Sequence, residues 1–78
     1  MSKSEILEKL TVVFRDVFDD ETITISEDTT PEDIEGWDSL QHITLLSAIG
    51  EEFEYGFSLD QMIEIHSVKD MIAVLEEI

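Results

Sequence analysis

Apolar residues return every three or four positions through the first part of the chain. Ile6, Leu7, Leu10, Val13, Phe14, Val17 and Phe18 fall on one side of a helical wheel, the spacing of a helix that buries one face. The pattern predicts a first helix from Ser4 to Phe18. Ser2, with Glu5 three positions on, has the form of a capping box at its start. The run Asp19, Asp20, Glu21 ends it, because negative charge is unfavourable beside the negative pole of a helix. A second period of the same kind runs through Leu40, Ile43, Leu46, Ile49 and Phe53, widened by Leu45 and Ala48, and predicts a helix from Ser39 to about Phe53. Gly56 marks a turn. Beyond it, Ser58 and Gln61 are spaced as a capping box for a short third helix carrying Met62, Ile63 and Ile65. A fourth helix is predicted from Ser67, with Asp70 in its first turn and Val68, Met71, Ile72 and Leu75 facing inward.

The connection from Asp19 to Asp38 holds nine acidic residues, no Lys or Arg, and the only proline. Ile23, Ile25 and Ile34 are available to pin it to a core, and Thr30-Pro31-Glu32-Asp33 has the order of a cap followed by one helical turn. The "TITI" run at 22–25 has strand composition, but no second strand exists to pair with it. Four helical segments, three of them substantial, with one long connection between the first two, predict an all-α fold: a small four-helix bundle with a short third helix, forming one domain over 1–78.

Composition narrows the function. Four Lys+Arg against twenty Asp+Glu give a formal net charge of −16, which repels phosphate backbones and anionic lipid and so argues against nucleic-acid and membrane-surface roles. The partners expected are proteins with basic patches, met by electrostatic steering that weakens as salt rises. With no Cys the chain has no disulfide, no thiolate metal site and no sulfur nucleophile, so any thiol chemistry needs an imported thiol. The first ten residues follow a helical pattern and not that of a signal peptide, and no apolar run approaches membrane-spanning length. A cytoplasmic monomer is the expectation.

The stretch "GWDSLQHI" at 36–43 concentrates the candidate chemistry. Asp38 and Gln41 have the relation of N-cap and third helical residue, and the simplest role for Ser39 is the first residue inside the helix. A helix start also leaves backbone N–H groups unpaired at the positive pole, where a phosphate ester on Ser39 is tolerated. Asp38 opposes that benefit unless a divalent cation, brought by a modifying enzyme, lies between the two charges. A hydrolytic serine is disfavoured: His42 is three residues on, but there is no glycine-rich elbow or third member to orient it. His42 reads as a half-exposed helical residue and His66 as a cap or hinge. The acidic connection lacks the alternating oxygen ligands and central glycine of a calcium loop, so no metal site is assigned.

Asp38-Ser39-Leu40, opening the second helix after a long acidic loop in a strongly acidic chain of this length, resembles the acyl carrier proteins. The resemblance covers nearly the whole chain. It implies that Ser39 carries 4′-phosphopantetheine, flanked by its motif neighbours Asp38 and Leu40, and that the protein is a carrier and not a catalyst. The arm's thiol would hold acyl groups as thioesters for fatty acid, polyketide or related specialised biosynthesis. The implied partners are a phosphopantetheinyl transferase and acyl ligases, acyltransferases or ketosynthases with basic docking patches.

Phe53, Phe57, Met62, Ile65 and Val68 match the family's apolar positions around the second and third helices. An acyl shelter between those helices would be lined by Leu46, Ile49, Met62, Ile65 and Met71. Candidate docking residues are Trp37, Gln41, Thr44, Ser47 and Glu51.

Two features depart from carriers of fatty acid synthesis. The exposed face of the second helix offers Gln41, Thr44, Ser47 and Gly50 in place of a row of acids, and Trp37 stands where a small residue is usual. Both lean toward free-standing carriers of polyketide or surface-polysaccharide assembly. An aminoacyl or peptidyl carrier and an unmodified acidic adaptor are the alternatives. Gly50 inside a helix costs about 1 kcal/mol relative to alanine, so a close approach by a partner or a neighbouring helix is expected there.

The charge itself makes a prediction. Self-repulsion among twenty acidic groups should lower stability at low ionic strength and neutral pH, so the melting temperature should climb with added salt or millimolar divalent cations. A melting temperature flat across that series in differential scanning calorimetry would show the repulsion to be unimportant.

Overall fold

Local capping decides where the helices begin. The computed structural model describes residues 2–78 and contains α1 (Lys3–Val17), α2 (Ser39–Phe53), α3 (Leu59–Glu64) and α4 (Val68–Leu75), with a 3-10 turn at Pro31–Asp33. The Ser2 hydroxyl oxygen accepts from the Glu5 amide at 3.2 Å and the Ser67 hydroxyl oxygen from the Asp70 amide at 3.3 Å. At α3 both halves of the box are made: Gln61 N–H donates to Ser58 Oγ at 3.1 Å, and Ser58 N–H donates to Gln61 Oε1 at 2.9 Å. Each bond satisfies a first-turn donor that has no partner within its helix. No strand forms among the described residues, and in the "TITI" run Thr22 belongs to a turn and 23–25 are irregular loop.

The core is built by three helices. α1 contributes Ile6, Leu10, Val13 and Phe14, α2 contributes Leu45, Leu46, Ile49 and Phe53, and α4 contributes Val68, Met71, Ile72 and Leu75. α3 buries none of its own residues and is anchored by Ile65 just past its end. This corrects the reading of the apolar series. Leu40 is 76% exposed and Ile43 48% exposed, so the buried face of α2 is carried by Leu45, Leu46, Ile49 and Phe53. Ile63, one of the apolar residues that the third helix carries, is 63% exposed. The reason is the size of α3: six residues cannot cover the face of α2 that Leu40 and Ile43 present.

The acidic connection is tied down along its length. Ile25 and Ile34 are buried and Ile23 packs on the core. Arg15 Nε donates to the Ile23 carbonyl at 2.8 Å. Farther on, the N–H groups of Val68 and Lys69 donate to the carbonyls of Thr29 and Glu27 at 2.9 and 3.0 Å, so the loop supplies acceptors for the first turn of α4. The Asp33 carboxylate accepts from the Thr30 N–H at 2.9 Å and from its hydroxyl at 3.3 Å across the 3-10 turn. Near the loop's start the Asp20 carboxylate accepts from the hydroxyl and amide of Thr22, which hold it below the usual carboxylate range. No helix among the described residues is long and apolar enough to cross a membrane.

Gly50 has a local explanation. α2 ends on Glu54 in the left-handed conformation (φ 54°, ψ 42°), and the chain folds back so that Tyr55 N–H donates to the Gly50 carbonyl at 2.9 Å. A Cβ at position 50 would lie 2.5 Å from the Tyr55 carbonyl oxygen, so the close approach is made by the protein's own turn. Gly50→Ala should therefore destabilise by about 1–3 kcal/mol through overpacking, despite alanine's better helix propensity. Urea unfolding measures it, and a stabilised variant would mean that the turn moves aside freely.

Candidate functional site

The site is assembled from an aromatic anchor outward. Trp37 is only 6% exposed: its indole packs edge-on against Phe14, with ring centroids 5.3 Å apart, and lies 6.4 Å from Phe18. These contacts fasten the chain to α1 immediately before α2 begins. Trp37, expected on a docking face, is thus a core residue, because a large indole gains more from burial between two phenylalanines than from solvent.

With Trp37 held inside, the next three residues are turned out, and Asp38, Ser39 and Leu40 are all exposed. The Asp38 carboxylate accepts from the Gln41 amide at 2.8 Å and caps α2. Ser39 is the first residue of a fifteen-residue helix, where free N–H groups and the positive pole favour an anion. An exposed hydroxyl in that position, with a groove alongside, suits attachment of a phosphate-linked group.

The groove, of about 460 Å³, is walled by Ser39, His42 and Ile43 of α2 and by Leu59, Met62 and Ile63 of α3. A second hollow of about 400 Å³ lies farther along the same two helices, between Leu46 and Gly50 on one side and Tyr55, Phe57 and Met62 on the other. The residues predicted to line an acyl shelter are therefore divided. Met62 and Ile65 border the first space, and Leu46 and Met62 the second. Ile49 and Met71 are fully buried in the closed core and border neither. Of the predicted docking residues, Thr44, Ser47 and Glu51 are exposed and Gln41 is half-buried.

His42 has a role the sequence did not reveal. The Trp37 indole N–H donates to His42 Nδ1 at 2.9 Å. Because an indole nitrogen can only donate, Nδ1 must be the bare nitrogen, and Nε2 carries the proton that it donates to the Met62 carbonyl at 2.8 Å. Both ring nitrogens are engaged, so the imidazole is not poised as a base for Ser39. A donor-only indole five residues from an imidazole was the one local signal for the first bond, but Met62 is twenty positions away. His66, in the α3–α4 junction, is exposed, and its N–H donates to the Asp70 carboxylate at 2.9 Å.

The chain matches the family described as "Phosphopantetheine attachment site" over residues 8–75. Among solved structures it is similar to a holo acyl carrier protein from Geobacter metallireducens, determined in solution by NMR. The identity is 32% and the TM-score 0.82, over 91% of this chain and 82% of that one. No curated protein sequence gives a significant match.

Removing the α2 cap isolates its contribution. Asp38→Ala should cost about 1 kcal/mol, whereas Asp38→Asn, which keeps an acceptor oxygen, should retain most of the stability. Equal losses for the two in chemical denaturation would assign the effect to charge and not to capping.

Proposed function

Since this chain belongs to the acyl carrier proteins, which carry covalent phosphopantetheine and are not catalysts, we propose that its attachment point is the hydroxyl of Ser39. The observation that carries this reading is the placement of Ser39: exposed at the first position of α2, next to a capping aspartate and at the mouth of the groove shared with α3. When bound, the group supplies the thiol that a cysteine-free chain lacks. Asp38 holds the helix end in place, the positive pole of α2 would favour the phosphate ester, and the anchored Trp37 keeps Ser39 turned toward solvent, where a phosphopantetheinyl transferase can reach it.

The same reading assigns a docking surface to α2. Leu40, Ile43, Thr44 and Ser47 form an exposed, uncharged face near Ser39, and Glu51, Glu52 and Glu54 lie at the far end. Acyl-processing enzymes would be drawn by the net charge and then held near the serine mainly by apolar contact. The scarcity of acids on this face supports a free-standing carrier of a specialised pathway, polyketide or surface-polysaccharide assembly, over one of general fatty acid synthesis.

Incubation with coenzyme A, magnesium and a broad-specificity transferase, followed by intact-mass measurement, tests the attachment point. The wild-type protein should gain one phosphopantetheine group and Ser39→Ala none. Modification of Ser39→Ala, or an unmodified wild-type protein beside a control carrier that is fully converted, would reject Ser39 as the site.

A further inference from the structure

The two hollows lie one after the other along the same side of α2. Ser39, His42 and Ile43 face the first, and Leu46, Ser47 and Gly50 face the second, successive turns on one side of a helix. Met62 alone borders both. Its backbone is tied to α2 by the His42 Nε2–H bond to its carbonyl, and the imidazole is braced in turn by the Trp37 indole, which is seated on Phe14 of α1. A methionine side chain is adaptable, but here the backbone that carries it is fixed from α1 through three residues.

We propose that Met62, held by His42, is a partition that confines acyl cargo to the hollow beside Ser39 and bars longer chains from the hollow at Gly50 and Tyr55. The proposal rests on Ser39 as the tether. A chain entering from Ser39 meets Ile43, Leu59 and Ile63 first, all substantially exposed, and can go deeper only by displacing Met62. Beneath the hollows the core is filled by Ile49 and Met71, which are fully buried and border neither space. The partition therefore selects for short cargo, or leaves the end of a long one at the surface where enzymes can take it. His42 acts as a positioning residue, and Met62 sets the length limit.

The test is solution NMR on protein loaded at Ser39 with butyryl- or octanoyl-phosphopantetheine, with loading verified by intact mass. In the wild-type protein both chains should give NOEs to Ile43 and Ile63, neither should reach the rings of Tyr55 and Phe57, and the Trp37 indole N–H resonance should stay in place. In Met62→Ala, octanoyl but not butyryl should acquire NOEs to Tyr55 and Phe57. His42→Ala should admit octanoyl in the same way and shift the Trp37 indole resonance. Octanoyl contacts to Tyr55 and Phe57 in the wild-type protein overturn the partition by themselves. So does a loaded Met62→Ala in which octanoyl never reaches them. A wild-type protein that takes up no arm overturns the tether instead, and is distinguished by mass before any spectrum is recorded.

Discussion

The indole of Trp37 is the contact on which the rest of the site depends. Its ring lies against Phe14 and near Phe18 on α1, and its N–H is bonded to His42 on α2. Burial of the ring fixes the chain just before α2, and the following residues, Asp38, Ser39 and Leu40, have nowhere to go but outward. Satisfaction of the N–H, which a buried donor requires, sets the tautomer of His42, and that tautomer lets His42 hold the carbonyl of Met62. One aromatic residue thus displays the serine and secures the short helix α3, which buries no residue of its own.

Charge and apolar surface are divided between range and contact. The net charge of −16 acts over roughly a Debye length, about 8 Å at physiological ionic strength. Among the described residues the one ion pair is Lys3 with Glu27, at 3.4 Å and largely exposed, which adds little stability. The acids therefore support the fold little as ion pairs, and where they do support it they act as hydrogen-bond acceptors, as Asp33, Asp38 and Asp70 do for backbone N–H groups. Next to Ser39, however, the surface is Leu40 and Ile43 with Thr44 and Ser47, so in the docking proposed for this face shape and apolar area would outweigh charge. Such a combination favours fast encounter and ready release, which suits a protein that must visit several enzymes in turn.

The features read correctly from sequence are those settled within a few residues. Ser2 with Glu5, Asp38 with Gln41, Ser58 with Gln61 and Ser67 with Asp70 each mark a helix start because a cap is a bond between neighbours in the chain. Helical periodicity likewise located the second helix and placed the Asp-Ser-Leu motif at its start. It could not say which side of α2 would be covered. Leu40 and Ile43 share the period of Leu46 and Ile49, and their exposure follows from the small size of α3, a property of another segment.

Trp37 was misassigned to the surface for the same reason, since its burial depends on Phe14 and Phe18, about twenty residues earlier in the chain. The sequence alone determined the number of helices, their capped starts, the acid-rich surface and the serine at the head of α2, because each is carried by local bonding or by composition. Only the tertiary structure decided that Trp37 is an anchor, that His42 bridges it to Met62, and that the space along α2 is two hollows and not one. Those outcomes depend on side chains from distant segments meeting in one place, and no periodicity along the chain encodes which of them will meet.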